Sequence, residues 1–317
     1  MSISIIGHDK QIAYLNSCRG RGTLAHAYLF HGTEHLGKLT IALVFAQSFF
    51  CSDAAKNDFR SACGQCTPCR AIMEHRHPSV IVLDTEHTLV SKKEARKEIP
   101  IEDIRELKRI LSFAPQGDAW RLAIIAEADK MSGEAANAFL KLLEEPGRQT
   151  ILILIAPHRD LVLPTLVSRT QPISFSTVSD NRLKELLAAR DIDTGRHDEF
   201  LTIASGRPGV LIRLCQEKSY AAEARSLFQE IDRVIQSEDI VGCLHIASLL
   251  ASEPVVRQEA IGWIMAHFRR LLTTGNLSDQ ARAVQALKRV DRIALLMDTT
   301  NVNPHLALDA LFLTIIR

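Results

Sequence analysis

No apolar run in this 317-residue sequence approaches the about 20 residues that a membrane-spanning helix needs. The first residues, Met1-Ser2-Ile3-Ser4-Ile5-Ile6-Gly7, have neither a charged n-region nor a long apolar core. No secretory signal is visible there, and a cytosolic setting is expected. Net charge is as sparse: 38 Lys and Arg against 37 Asp and Glu leave a formal +1. Bulk electrostatics therefore gives no drive toward tight DNA binding, which needs clustered cations to neutralise phosphates. One basic stretch, Ser91 to Lys97, is interrupted by Glu94 and followed by Glu98, and reads as a solvated loop. Aromatic residues make up only 5% of the chain. What is abundant is ordinary: 46% hydrophobic residues with mixed charge mark a soluble globular protein, and the length calls for two or three domains.

Seven cysteines in a cytosolic chain are rarely disulfides. Cys18, Cys215 and Cys243 stand alone among apolar neighbours and read as small core residues. The other four crowd together as Cys51, Cys63, Cys66 and Cys69. Two overlapping C-x-x-C turns, eased by Gly64 and Pro68, let successive sulfurs converge on one ion. A tetrahedral Cys₄ set is the preference of structural Zn²⁺, and an iron–sulfur cluster is the rival occupant. Four thiolates close the coordination shell, so the role is structural rather than catalytic. His75 and His77 follow closely but are surplus to a saturated metal and are expected at the surface.

The centre of the chain is the stretch Arg121 to Asp129, which runs on to Pro146. Leu122 to Ala126 has the length of a fully buried strand, and Ala135, Ala138, Phe139, Leu142 and Leu143 then fall at helical spacing. In a P-loop ATPase such a strand ends in an Asp that holds Mg²⁺ and a Glu that polarises the attacking water. Glu127 fills the second position, while the first is Ala126. Upstream, the strand Ala27 to Phe30 runs into Gly32-Thr33-Glu34-His35-Leu36-Gly37-Lys38-Leu39-Thr40 and an apolar helix to Phe50. Strand, glycine-rich loop, then helix is the setting of a phosphate-binding loop, in which Lys38 would reach the β- and γ-phosphates. The residue after the Lys should be Ser or Thr for Mg²⁺, yet it is Leu39, and Thr40 lies about 100° further round the helix. Phosphate binding and a bare glycine-rich turn both remain open on this pattern; Mg²⁺-dependent hydrolysis is disfavoured.

Further buried strands are expected at Ser79 to Asp84, Thr150 to Ala156 and Pro172 to Phe175. A helix follows Pro100, with Ile101, Ile104, Leu107, Lys108 and Leu111 as its stripe, and Pro115-Gln116-Gly117 turns the chain. A helix also covers about Lys10 to Arg19. Alternation of strands and helices implies a parallel α/β sheet with right-handed crossovers. From about Asp180 the strands cease, and helical patterns continue to Ile316, with Leu227, Phe228, Ile231, Val234 and Ile235 as one stripe. That tail holds no catalytic constellation and suits a scaffold or oligomerisation module.

With these residues in place, the chain resembles the subunits of bacterial clamp loaders, an AAA+ family, along nearly its whole length. Ile6-Gly7-His8 with His26 to Phe30 resembles the start of the clamp-loader ATPase core. The four-cysteine insertion resembles the family's zinc module. Asn137 to Pro146 resembles the helix after the Walker B strand, and Ser168-Arg169 falls on the family's serine-arginine-cysteine motif with Thr170 as its third residue. Three departures sort it within the family. Where motor subunits keep a Mg²⁺ Thr, a Walker B Asp and a sensor-2 Arg, this chain has Leu39, Ala126 and, aligned from Gly206, Gly209.

The resemblance implies an AAA+ α/β domain over 1–174 with a zinc module at 51–69, a small helical lid over 175–216, and an all-α collar over 217–317. It implies a non-hydrolysing subunit of the DNA polymerase III clamp loader that serves as a stator and lends Arg169 in trans as an arginine finger. Gly32, Gly37, Lys38 and Glu127 would then be remnants of a nucleotide site, and Cys51, Cys63, Cys66 and Cys69 would hold structural Zn²⁺. The implied partners are the tau/gamma ATPase subunits and the delta subunit, with the sliding clamp and primer-template DNA met through the complex. From the residues alone, Arg169 could instead cap the preceding helix or pair with a local carboxylate. Two other functions stay in view: an active Mg²⁺-ATPase subunit, and a zinc-dependent nucleic-acid binder, against which the near-neutral charge and sparse aromatics weigh.

Overall fold

The structure is a computed structural model that describes residues 5–53, 62–90, 96–112, 120–189, 197–237, 239–300 and 302–315. The turn expected at 115–117 and most of the basic stretch at 91–97 lie outside the described residues. The chain divides into two compact units, Met1–Val178 and Ser179–Arg317.

The first unit is built on five parallel strands: β1 (Ala27–His31), β2 (Val80–Leu83), β3 (Arg121–Ile125), β4 (Thr150–Ala156) and β5 (Gln171–Ser174). Their order in the sheet is β2-β3-β4-β1-β5. The three inner strands are near-continuous apolar runs because both of their faces are covered. Alternate residues serve opposite faces. Tyr28, Phe30, Leu122, Ile124, Ile151 and Ile153 join one core with Ile12 and Leu15 of α1 (Asp9–Gly20) and with Ile41, Ala42 and Phe45 of α2 (Lys38–Phe50). Leu29, Ala123, Ile125, Leu152 and Leu154 join the other. After α3 (Thr67–Met73), that second face is covered by α4 (Ile101–Ser112), α5 (Gly133–Glu144) and the single turn α6 (Pro164–Val167).

On α4 the stripe differs from its sequence reading: Lys108 is exposed, and Asp103 is fully buried in its place. The Asp103 carboxylate accepts the N–H groups of Leu89 (2.8 Å) and Val90 (2.9 Å), so it ties the loop after β2 to the helix. One oxygen of this buried carboxyl is thus paired with two backbone donors, which amphipathic spacing does not reveal. The isolated cysteines also differ among themselves. Cys243 is buried, whereas Cys18 and Cys215 are only half-buried.

Among its described residues the second unit has helices as its only regular elements: α7 (Asp180–Ala189), α8 (His197–Ala204), α9 (Pro208–Gln216), α10 (Lys218–Ser237), α11 (Ile240–Ser252), α12 (Pro254–Thr274), α13 (Leu277–Thr299) and α14 (Pro304–Ile315). Trp263, Phe268 and Phe312 are its largest fully buried side chains. Asn276 and Asp279 form a capping box at the start of α13, and Asp239 caps α11. Arg225 on α10 donates to Glu199 on α8 at 2.6 Å, and Tyr220 on α10 donates to Glu259 on α12 at 2.8 Å. The segments expected as lid and collar, apart from residues 175–178, lie within one compact unit. No helix among the described residues is long and apolar enough to cross a membrane.

Candidate nucleotide loop, arginine and metal site

In an open parallel sheet, ligands bind in the crevice at the carboxyl ends of the strands. Here that crevice is bounded by the loop after β1. Gly32 leaves β1 with φ 145 and donates its N–H to Pro157 O at 3.1 Å. A Cβ at Gly32 would lie 2.2 Å from Phe175 O, so only glycine lets the loop pass β5. Gly37, with φ 88, is the N-cap of α2. The loop thus joins the carboxyl end of β1 to the amino end of α2 through two glycines of positive φ.

Its lysine is turned inward. Lys38 is buried, and its ammonium donates to Thr33 O at 2.8 Å and to Gly32 O, two carbonyls of the loop itself. Burial lowers its pKa to about 8, against the opposing pull of Glu34 and Asp129. Reaching a phosphate would require the ammonium to leave both carbonyls. Leu39 is partly buried and packs against the core on the α1–α2 face of the sheet. It offers no oxygen to a hard cation.

Glu127 is committed elsewhere as well. One carboxylate oxygen accepts the backbone N–H of Thr85 at 2.9 Å and its hydroxyl at 2.5 Å, and the other receives Lys130 at 2.5 Å. Burial raises its pKa, but the bonds from Lys130 and Thr85 outweigh that and hold it below the usual glutamate value. A depressed, fully engaged carboxylate is poorly suited to activating water. It does tie the end of β3 to the end of β2. Beside it, Asp129 has its pKa pushed up to about 6, chiefly by burial, with Glu127 and Glu34 adding to the rise. Asp129 received no role in the sequence reading, although it stands in the Glu127-Ala128-Asp129 run; its signal is proximity to Lys38, visible only in the fold.

Arg169 lies at the opposite end of the sheet. It precedes the amino end of β5, whereas the glycine loop follows the carboxyl end of β1, and Tyr28 of β1 pairs in parallel with Gln171 of β5. The length of β1 separates them, roughly 15 Å at about 3.3 Å per residue, beyond the reach of an arginine side chain. Arg169 is exposed; it donates to Thr165 O at 3.2 Å and Ser168 Oγ at 3.4 Å, and its guanidinium meets Glu144 at 3.1 Å. Thr170 is buried, with its hydroxyl donating to Val167 O at 3.1 Å.

Residues 7–179 match the family model described as DNA polymerase III, delta subunit, which is more than half of the chain. Curated relatives bear the delta-prime name. This chain belongs to the delta-prime family of DNA polymerase III subunits. The Bacillus subtilis delta-prime subunit is 31% identical over 169 residues, 53% of this chain and 47% of the relative. The Pseudomonas aeruginosa delta-prime subunit is 34% identical over 208 residues, covering 64% of this chain and 60% of its own length. A gamma/tau subunit of Mycobacterium tuberculosis is 29% identical over 184 residues, 58% of this chain and 30% of the relative. The matched region thus spans about half the length of the curated delta-prime relatives.

The cysteines converge in this delta-prime family member. The sulfurs of Cys51, Cys63, Cys66 and Cys69 all lie within 4.8 Å of one another, with Cys66 and Cys51 at 3.9 Å. A tetrahedral ion with bonds of about 2.3 Å spaces its sulfurs by about 3.8 Å, so the donor set fits a single metal. Backbone N–H groups of Cys63, Gln65 and Cys66 donate to the sulfurs of Cys51 and Cys63 at 3.3 to 3.4 Å. Gln47 of α2 donates to Cys69 O at 2.9 Å, so the site clasps α3 to the end of α2. His75 and His77 lie outside this ligand group, and contrary to expectation both are half-buried. The His77 ring lies tilted against Phe50, with centroids 4.4 Å apart, and His75 meets His87 edge to face at 5.0 Å, contacts that sequence spacing does not foretell.

Proposed function

We propose that this chain is the non-hydrolysing delta-prime subunit of a DNA polymerase III clamp loader. It serves as a stator and lends Arg169 to the nucleotide of a neighbouring subunit during ATP-dependent loading of the sliding clamp onto primed DNA. The observation that carries this reading is the contrast between two ends of one sheet. At the carboxyl end, Lys38 is bonded to its own loop, Leu39 packs against the core, and Glu127 is held by Thr85 and Lys130. At the amino end, Arg169 is exposed and a strand's length away from that loop, so any phosphate it serves belongs to another chain. A guanidinium presented in trans stabilises charge that grows on the transferring phosphoryl group.

In this reading the tau/gamma subunits supply the ATPase, and the delta subunit completes the ring. Residues 217–317 form the collar contact, residues 175–216 the lid, and primer-template DNA is met inside the assembly in the cytoplasm. The cysteine site holds structural Zn²⁺ through Cys51, Cys63, Cys66 and Cys69. A polynuclear iron–sulfur cluster would keep its cysteines apart by the breadth of the cluster, which four sulfurs within 4.8 Å do not favour.

ATP turnover by the isolated chain, with Mg²⁺ and primed DNA, is the test. The expected result is none above background, together with turnover once the cognate tau/gamma and delta subunits are added. Turnover by the lone chain that disappears in Lys38→Ala would overturn the reading in favour of an active Mg²⁺-ATPase.

A further inference from the structure

The guanidinium proposed to act on a neighbour is held by its own chain. Nη1 of Arg169 donates to Thr165 O at 3.2 Å and to Ser168 Oγ at 3.4 Å, both neutral acceptors at long distance. Nη2 lies 3.1 Å from Glu144 Oε1, an ion pair and the one charged contact of the three. Glu144 is the last residue of α5, and Glu145 is the C-cap. A carboxylate there faces the negative end of the helix macrodipole, where helix stability disfavours it. Helix formation gives no reason for an acid at this position; Arg169 gives one.

We propose that Glu144 is a positioning residue that parks Arg169, and that the finger engages a neighbour's γ-phosphate only by exchanging this carboxylate for the phosphate. The inference rests on the finger role proposed above. The exchange replaces one oxyanion by another on the same planar fork. The two anions repel each other, so Glu144 resists the incoming phosphate until it releases the arginine. The pair is 42% and 53% exposed, and ion pairs so open to water are weak. Parking is therefore shallow: strong enough to order the side chain before a neighbour arrives, and weak enough for a more highly charged phosphate to displace it.

Glu144→Gln keeps the shape and removes the charge at an exposed position, so folding is spared. In the reconstituted complex with cognate tau/gamma and delta subunits, Glu144→Gln should raise kcat/KM for ATP about two- to fivefold, the range set by a weak surface pair. In an Arg169→Ala background the same substitution should change nothing. Suppose Arg169→Ala lowers the rate while Glu144→Gln leaves it unchanged or lowers it; the parking proposal is then wrong and the finger stands. An equal rise with and without Arg169 would also overturn it, because Glu144 would be acting elsewhere. If Arg169→Ala itself has no effect, the finger reading fails first and takes the parking role with it.

Discussion

Glu127 separates a structural reading of the degenerate site from a catalytic one, and Glu127→Gln is the perturbation that does so. In the native chain its two oxygens receive three donors: Thr85 N–H, Thr85 hydroxyl and Lys130. A glutamine can aim its carbonyl at the buried Thr85, but its amide then faces the Lys130 ammonium. Two charge-assisted bonds become neutral, at a cost of about 1 kcal/mol each. The ion pair to Lys130, whose side chain is 43% exposed, adds about 0–1 kcal/mol. The sum is about 2–3 kcal/mol, or roughly 4–12 °C in Tm for a unit of this size. Thermal unfolding of the isolated chain should show that loss, while ATP turnover of the reconstituted complex stays within about twofold. The destabilisation depends on pH with a definite sign. Glu127 has a lowered pKa in the folded state, so its stabilisation is present above the unfolded glutamate value and fades as pH falls through the folded one. An unchanged Tm with a tenfold or greater loss of turnover would instead make Glu127 a catalytic group.

Three other perturbations test the geometry. Gly32→Ala should destabilise the first unit by about 2–5 kcal/mol, since its Cβ would meet Phe175 O at 2.2 Å on a backbone with φ 145; a Tm within 1 °C of wild type would contradict this. Lys38 has a folded pKa of about 8 against an ordinary 10.5, so between those values the unfolded chain binds more protons and stability rises with pH. Compared with Lys38→Met, the native chain should gain stability from pH 8 to 10.5, and a flat difference across that window would count against the buried ammonium. Purified protein should carry one Zn²⁺ per chain. Its removal by a chelator, or Cys66→Ser, should open α3 (Thr67–Met73) to protease with little change in sheet signal by circular dichroism, and full resistance without metal would refute a structural clasp.

The sheet was legible in the sequence because its inner strands are apolar on both faces, which leaves short unbroken runs such as Thr150 to Ala156 bounded by polar turns. The long helices of the second unit were legible for a similar reason, since a stripe such as Ile231, Val234 and Ile235 repeats locally. The cysteine site was readable because its ligands lie close together in the chain. What escaped was set by partners distant in sequence. Glu127 looks like half an active site until Thr85, 42 residues away, claims its carboxylate. Asp103 looks like a solvent residue beside Lys108 until Leu89 and Val90 donate to it. Lys38 looks ready for phosphate until the loop folds its ammonium onto Thr33. For Arg169, capping and pairing with a carboxylate suited the local sequence, while action in trans was implied only by the family resemblance. The fold supplies the cap and the carboxylate, and it puts the arginine at the far end of the sheet from the glycine loop.

Arg169 is proposed to act on a nucleotide held by another chain. Steady-state ATP hydrolysis by the reconstituted complex on primed DNA tests it most directly, with native chain, Arg169→Ala or Arg169→Lys as the only variable. The expected result is at least a tenfold fall for alanine and little recovery with lysine, whose point charge lacks the planar fork. Turnover that stays within about twofold of native in Arg169→Ala would contradict it.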